Sequence, residues 1–463
     1  MRKCAVSAAV FACAFLLFGG VASATDFSPG AAGVGDPYFP LAGNGGYDVG
    51  NYDMTLAYDP AANQLTGTAV INATATQDLS RIDLDLRGFS VTRVLVGARA
   101  ARFQRDGQEL VITLGARKRP RGVIAGGQFM VTVEYAGTPS VVTDADGSVE
   151  GWVPTNDGAF VVGEPQGSPA WYPVNDTQLD KATYDFAVTV PDGLTVMANG
   201  VLLSHDSAAG KTTWRWRESD PMASYLATAT IGYFDLTQYS VDGIPAYVAV
   251  DPQLSKSQVL AALPEAIRFY SSIYGPYPFT AVGAVVDKAP GVGYALETQT
   301  KPVFASMPGE ATLVHELAHQ WYGDSVTMAT WPDIWLSEGF ATFSQWIWSE
   351  HQGGETAHQT FTRLYGTSAG SSSFWNPPPG VPGGPAFLFD GTIYYRGGMT
   401  LQALREKVGD TAFFQIMRDW AQQNRFGTVS TPEFIALAEL RSGIDLDAFF
   451  QAWLYLPGKP TVW

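Results

Sequence analysis

The sequence predicts an α+β protein of two parts, a β-sandwich or saddle-like domain followed by a mainly α-helical domain. From about residue 47 to about residue 236, apolar residues recur with a period of two, and Gly, Pro, Asn and Asp separate the short runs. Beyond that point, apolar residues recur at helical spacing. The 463 residues are enough for roughly two to four domains with sizeable cores. We therefore expect an N-terminal β domain over 25–236 and a second domain over 237–463.

The first domain is predicted to be a series of short strands. Residues 26–46 are rich in Gly and Pro and are expected to be extended, whereas 146–151 and 156–158 have the composition of turns. Strands are predicted where apolar and polar residues alternate. The predicted strands include 52–58, 65–75, 82–86, 130–135 and 184–190.

The second domain is predicted to be mostly helical. Ser430 and Glu433 form a capping box, which marks a helix start. Residues 370–391 are rich in Pro, Gly and Ser and predict a loop long enough to be functional. The predicted helices are 255–274, 310–322, 333–350, 396–408, 411–425, 432–441 and 446–455, and the predicted strands are 282–286 and 298–304.

The first 24 residues are typical of a secretory signal peptide. Arg2 and Lys3 precede an apolar stretch at 5–19, which is short for a membrane span. Ala-Ser-Ala at 22–24 is a cleavage site that would leave Thr25 as the first residue. We expect secretion without stable membrane association after cleavage, and an uncleaved anchor is the alternative.

Charge and cysteine content exclude several classes of protein. The 28 basic and 44 acidic residues give a formal charge of −16, which argues against binding to nucleic acid or anionic lipid. The chain's two cysteines, Cys4 and Cys13, lie in the segment that cleavage would remove. The mature chain would therefore have no disulfide, cysteine ligand or cysteine nucleophile.

An H-E-x-x-H motif at 315–319 predicts a metal site. His315 and His319 are four residues apart and share one face of a helix, whereas Glu316 lies about 100° around it. Eighteen residues then separate His319 from Glu338, a carboxylate in an apolar segment where it needs a partner. Two His and one Glu leave the fourth position of a catalytic zinc open. The alternatives are two histidines without a metal, or a structural zinc, which usually has four protein ligands.

Such a zinc lowers the pKa of a water and polarises the scissile carbonyl. Glu316 would accept the water proton and pass it to the leaving amine. Tyr394 could donate to the oxyanion, although an aromatic pair at a helix start is more typical of packing.

The motif and its flanks resemble the gluzincin aminopeptidase family headed by aminopeptidase N. The signature is H-E-x-x-H, eighteen residues and Glu, within the stretch 331–341, and similarity extends from 38–48 to 453–460. The resemblance implies a thermolysin-like zinc catalytic domain behind the β domain. Usual members continue with a further helical domain where this chain ends, at Trp463, so we expect a more open site.

The resemblance also implies roles for individual residues. His315, His319 and Glu338 would hold one Zn²⁺ per chain, Glu316 would be the general base, and Tyr394 would stabilise the oxyanion. The chain departs from the family at Arg396, which replaces a Lys, and at Asp324, which replaces an Asn.

The family's exopeptidase motif, Gly-x-Met-Glu-Asn, matches residues 294–298. Ala295, Leu296 and Glu297 would contact the substrate, and Glu297 keeps the carboxylate that binds the free α-amine. Tyr294, Leu296 and Thr298 replace the usual Gly, Met and Asn. Without the resemblance, Glu297 would be an ordinary exposed strand carboxylate.

A second amine-binding carboxylate of the family corresponds to Glu164, twelve residues before Asp176. Glu164 and Glu297 would together bind a protonated amine by charge-assisted hydrogen bonds. From its residues alone, Glu164 is as compatible with a solvated loop.

These features predict a secreted, monomeric, zinc-dependent aminopeptidase that acts on peptides with a free N-terminus and not on nucleic acid. The alternatives are a zinc endopeptidase of the same fold, an epoxide-opening relative and a non-catalytic peptide-binding relative. Glu316 argues against the last, since a binding-only site has no need of a base.

Overall fold

The computed structural model describes Met1 and residues 26–115, 122–367 and 373–461. The predicted signal peptide and its two cysteines lie outside these residues, as does the start of the predicted loop at 370–391. The strands, in chain order, are β1 (Ser28–Pro29), β2 (Tyr47–Asp59), β3 (Gln64–Ala75), β4 (Leu79–Ile82), β5 (Ser90–Val96), β6 (Arg99–Ala100), β7 (Arg102–Asp106), β8 (Glu109–Thr113), β9 (Gln128–Gly137), β10 (Val141–Thr143), β11 (Val149–Pro154), β12 (Ala159–Val162), β13 (Ala182–Pro191), β14 (Thr195–Ala198), β15 (Val201–Ala208), β16 (Lys211–Met222), β17 (Ala229–Gly232), β18 (Asp235–Val241), β19 (Ile244–Val250), β20 (Val282–Val286), β21 (Ala295–Leu296), β22 (Val303–Phe304), β23 (Thr327–Met328) and β24 (Thr428–Val429). The helices are α1 (Ser257–Tyr274), α2 (Glu310–His319), α3 (Trp335–His351), α4 (Ala357–Thr367), α5 (Gly391–Val408), α6 (Asp410–Gln423), α7 (Thr431–Ser442) and α8 (Asp447–Phe450), which continues into a π-helical turn, Gln451–Tyr455.

The first part of the chain is built from three sheets. The largest has the order β15-β16-β13-β2-β3-β9-β5-β6 and is antiparallel except where β13 runs parallel to β2. Buried and exposed residues alternate along β2, as expected for a strand with one face on a core. A second sheet has the order β10-β11-β12-β17-β14, and Glu164 lies two residues after its central strand β12. The period-two pattern predicted β2, β3, β9 and β13, which alternate between buried and more exposed residues.

A further sheet follows the first three along the chain. It has the order β18-β19-β20-β22-β21, with β19, β20 and β22 parallel and β18 and β21 antiparallel on the two edges. The predicted division after residue 236 falls inside β18, and that domain boundary stays a prediction. The edge strand β21 carries the 294–297 motif toward α2.

The predicted two-part α+β architecture is confirmed, and most predicted helices are present. The capping box of Ser430 and Glu433 opens α7 as predicted. The predicted strand 298–304 is short, because residues before β22 form a turn in which Thr300 has a positive φ of 69°. Helix α4 was missed, and the strand expected at 82–86 lies instead at β4. Among the described residues, no helix is long and apolar enough to cross a membrane.

Candidate metal centre and active-site cavity

His315, His319 and Glu338 converge on one point. Their ligand atoms lie within 4.8 Å of one another, and all three side chains are buried. Glu338 Oε2 is 3.0 Å from His315 Nε2 and 3.4 Å from His319 Nε2. Two imidazole nitrogens and one carboxylate oxygen at these separations fit a zinc ion with one open coordination position.

The two histidines are placed by α2. Their ring centroids are 4.7 Å apart, as residues one turn apart on a helix require. Glu310 lies in the first turn, where a carboxylate stabilises the helix N-terminus. Its Oε1 also accepts a hydrogen bond of 2.8 Å from Trp348 Nε1 on α3. Helix α2 is therefore attached to the helix that carries Glu338.

Helix α5 brings Tyr394 to the same place because two glycines let it touch α3. A Cβ on Gly339 would lie 2.9 Å from Gly397 Cα, and a Cβ on Gly397 would lie 2.9 Å from Gly339 Cα. Glu338 immediately precedes the first glycine, and Tyr394 lies about one turn before the second. The Tyr394 ring consequently packs on His315, with centroids 6.0 Å apart.

Burial and the charges of neighbouring groups shift the pKa of each side chain in the triad. Burial alone would raise the pKa of Glu338, but His319 and His315 lower it to about 2. Burial opposes the charged form of His319, yet Glu297 and Glu338 raise its pKa well above the usual value. Burial lowers the pKa of His315. An ionised carboxylate between two imidazoles is the electrostatic environment that a divalent cation requires.

The far side of the His319 ring is fixed by hydrogen bonds. Its Nδ1 is 3.0 Å from the carbonyl oxygen of Tyr322 and 3.1 Å from Ser337 Oγ. A carbonyl only accepts, so Nδ1 carries a proton, and Nε2 would present its lone pair to a metal ion that displaces its own proton.

The triad opens into a cavity of about 450 Å³. Glu164, Glu297, Glu316 and Glu338 all line it, and no lysine or arginine is among the described residues that do so. Oε1 of Glu164 and Oε1 of Glu297 are buried without a hydrogen-bond partner in the described structure. A buried carboxylate oxygen without a donor is costly, so these two atoms point to a ligand that brings N–H groups.

The two unpartnered carboxylates lie beside the metal triad. One ligand atom each of Glu164, Glu297 and Glu338 falls within a 4.8 Å cluster. Burial and the charge of Glu297 raise the pKa of Glu164 well above its usual value. Burial, opposed by His319, raises the pKa of Glu297 to about 7. A cation between the two carboxylates would relieve their repulsion.

The edge strand decides which residues of the 294–297 motif reach the cavity. Side chains alternate along a strand, so Ala295 and Glu297 line the cavity, whereas Leu296 is buried in the hydrophobic core. The structure therefore places Leu296, predicted to contact the substrate, outside the cavity lining. Gln320, directly after α2, donates a hydrogen bond of 3.2 Å to the Glu297 carbonyl and so fixes the strand end against the metal helix.

Several residues that shape the site were not identified from the sequence. Gly339 and Gly397 are interior to helices, where glycine is unfavourable, and that is the signal that could have revealed them. Asp146 lines the cavity from the β domain. Tyr294, which the sequence showed in place of the family's Gly, has a role the sequence did not reveal: its hydroxyl donates to the Val149 carbonyl at 2.9 Å and joins the two parts of the chain beside the cavity.

Two family models match this chain. The model described as the peptidase M1 N-terminal domain matches residues 49–226, and the model of the peptidase family M1 domain matches residues 305–453. The metal triad and Tyr394 lie within the second match, and Glu164 lies within the first.

The chain is also similar to named relatives. It is 27% identical to aminopeptidase N of Streptomyces lividans over 312 residues, which are 60% of this chain and 36% of that protein. It is 24% identical to aminopeptidase N of Lactobacillus delbrueckii subsp. lactis over 450 residues, 89% of this chain and 51% of that protein. The chain thus spans about half or less of the length of these curated relatives.

Solved structures also match this chain, and two of them are covered over 98% or more of their length. The M1 zinc metallopeptidase from Deinococcus radiodurans superposes with a TM-score of 0.83 at 29% identity, covering 92% of this chain and 98% of that one. A mutant M1 zinc metallopeptidase from the same organism, bound to a Tyr-Ser-Ala substrate, matches with a TM-score of 0.83 at 29% identity, over 93% and 100%.

Proposed function

Since the chain belongs to peptidase family M1, we propose that it is a zinc-dependent aminopeptidase that removes the N-terminal residue from peptides. The relatives named aminopeptidase N and the zinc metallopeptidase structures support this proposal. The observation that carries it is the pair of unpartnered buried carboxylates, Glu164 and Glu297, beside the metal triad.

Zinc is the cofactor, and His315, His319 and Glu338 are the residues that would hold it. When bound, zinc lowers the pKa of a water molecule and polarises a carbonyl group. Glu316 lies on α2 next to His315 and lines the same cavity. We assign it the role of general base, which accepts the proton of the attacking water and hands it to the leaving amine.

Glu164 and Glu297 determine where a peptide is cut. A protonated α-amine can donate to both free Oε1 atoms by charge-assisted hydrogen bonds. Because these carboxylates adjoin the triad, an amine held there leaves the first peptide bond beside the metal ligands. Tyr394, stacked on His315, is the donor we assign to the developing oxyanion.

Acetylation of the substrate amine tests this assignment. An aminoacyl reporter with a free amine should be cleaved much faster than its N-acetyl counterpart, since acetylation removes the positive charge. Glu297→Gln removes a charged acceptor worth about 1.5 to 3 kcal/mol, so kcat/KM for the free reporter should fall about 10- to 150-fold. Zinc content should stay at one ion per chain.

The matched control is Glu109→Gln, which alters a buried carboxylate that does not line the cavity. This variant should keep its preference for the free amine. Equal cleavage of free and acetylated reporters by the unaltered chain would instead support a zinc endopeptidase. Stoichiometric zinc without turnover of any reporter would support a non-catalytic peptide-binding protein.

We also propose that the chain is exported and cleaved between Ala24 and Thr25, and that it then acts as a monomer without stable membrane association. The charged, apolar and small-residue segments of residues 1–24 support export. N-terminal sequencing of the protein from the producing cells and their medium tests this. An intact Met1 on the active protein would contradict it.

A further inference from the structure

The loop that follows the metal helix is held by a lysine of the β domain. Lys181 immediately precedes β13. Its ammonium group donates to three backbone carbonyls, those of Asp324 at 2.9 Å, Ser325 at 3.1 Å and Gly427 at 3.2 Å. An ammonium has three N–H donors, so these contacts use all of them. One β-domain side chain thus connects the metal-helix loop with the segment leading into β24.

This loop also sets the orientation of His319. The Asp324 N–H donates to the His319 carbonyl at 3.0 Å, and the Tyr322 carbonyl accepts from His319 Nδ1 at 3.0 Å. Between them, Gly323 has a φ of +128°, and a Cβ there would lie 3.0 Å from His319 Nδ1. The backbone conformation of residues 322–324 and the orientation of the His319 imidazole therefore depend on each other.

A second β-domain residue contacts the same turn. The Tyr225 hydroxyl donates to the Gly323 carbonyl at 3.2 Å. The first three carbonyls after Tyr322, those of Gly323, Asp324 and Ser325, each accept a hydrogen bond from the β domain. Three consecutive residues of the loop are therefore hydrogen-bonded to the β domain.

The Asp324 side chain interacts electrostatically with the bridging lysine. Its carboxylate is fully buried, and neither oxygen has a hydrogen-bond partner among the described residues. Burial and the charge of Glu297 raise the pKa of Asp324 well above its usual value, and the positive charges of His319 and Lys181 oppose this rise. Burial lowers the pKa of Lys181 to about 7, and the charge of Asp324 opposes that fall, so each group favours the charged form of the other.

We propose that Lys181 is a positioning residue of the metal site: by binding the loop at Asp324 and Ser325, it holds the Tyr322 carbonyl against His319 Nδ1 and so sets the affinity for zinc. This inference rests on the proposed role of His319 as a zinc ligand. It makes the metal affinity of the catalytic half depend on the docking of the β domain.

The test replaces Lys181 with methionine, which keeps the length of the side chain and removes its donors. The matched control is Lys301→Met. Lys301 is also buried between the two parts, where it donates to the Gly200 carbonyl and lies 4.6 Å from the Trp216 ring centroid, with no hydrogen bond to residues 322–325. Metal-free proteins are titrated with Zn²⁺ against a chromogenic chelator, and the absorption spectra of the Co²⁺-loaded forms are compared.

Losing a direct partner of a metal ligand typically weakens metal binding about 10- to 100-fold. Lys181 contacts the loop and not His319 itself, so Lys181→Met should weaken zinc binding about tenfold, the lower end of that range, and should shift the Co²⁺ bands. Lys301→Met should lower the unfolding temperature and leave both readouts unchanged. Wild-type affinity and a wild-type spectrum in Lys181→Met would overturn the inference and leave the proposed function intact. Absence of zinc binding in the unaltered chain would instead refute the proposed function.

If Lys181→Met does not fold, Tyr225→Phe decides the question. This change removes one hydrogen bond to the loop and keeps the ring that packs on Trp331. Its zinc affinity should fall several-fold, and an unchanged affinity would refute the coupling between the β domain and His319.

Discussion

Replacing Arg396 with methionine tests how the helix that carries Tyr394 is anchored. Arg396 takes the place of a lysine in the resembling family, yet its side chain is fully buried and does not line the cavity. Burial lowers the pKa of its guanidinium to about 10, so the group stays charged at neutral pH. The guanidinium donates to four backbone carbonyls, those of Trp375, Ala452, Trp453 and Leu456.

The size of the effect follows from these four bonds. A hydrogen bond from a charged group contributes about 1.5 to 3 kcal/mol, so four would give about 6 to 12 kcal/mol if they added. Neighbouring bonds are not additive, and methionine recovers part of the packing. We expect Arg396→Met to lower the free energy of unfolding by about 3 to 5 kcal/mol, because four carbonyl oxygens lose the group that donates to them. Arg396→Lys has three donors instead of five and should lose about half as much.

Urea unfolding of the metal-free protein, followed by tryptophan fluorescence, measures this loss without a contribution from zinc binding. The control is Arg268→Met, which removes a surface ion pair with Asp242 whose side chains are 55% and 60% exposed. Such a pair contributes about 1 kcal/mol or less. If Arg396→Met were no more destabilising than Arg268→Met, the anchoring role of Arg396 would be refuted.

Three further outcomes are expected. Glu316→Gln should retain zinc and lower kcat by about 10²- to 10⁴-fold, measured with a free aminoacyl reporter; an unchanged kcat would remove the general-base assignment. Tyr394→Phe should lower kcat by about 10²- to 10³-fold with zinc affinity unchanged, and a rise in KM alone would point to ground-state binding instead. Burial raises the pKa of Asp176 from 3.8 to about 7 in the folded chain, so the folded state binds the extra proton and the free energy of unfolding should fall as the pH rises through this window. Asp176→Asn should flatten that fall in urea unfolding at about pH 5 and about pH 8, and an equally steep fall would contradict the assignment.

The placement of the two histidines of the candidate metal centre was predictable because it is local. His315 and His319 are one helical turn apart, so their shared face follows from the sequence spacing alone. The capping box of α7 and the alternation of β2 are local in the same sense. Such features depend on neighbours within a few residues, and the sequence displays those neighbours directly.

The burial and partners of other site residues depend on contacts between distant segments. The resemblance placed both Leu296 and Glu297 at the substrate, and only the direction of β21 against β22 placed Glu297 in the cavity and Leu296 in the core. Arg396 matched a family lysine by position, and only the fold showed that its partners are the carbonyls of the C-terminal turn.

The sequence by itself therefore indicated the helix that carries His315 and His319 and the two-part α+β architecture, since periodicity and spacing are properties of short segments. The tertiary structure alone decided the contact of Gly339 with Gly397 and the hold of Lys181 on the loop after His319. Both join residues far apart along the chain, and the free energy of such a contact depends on how the intervening segments pack.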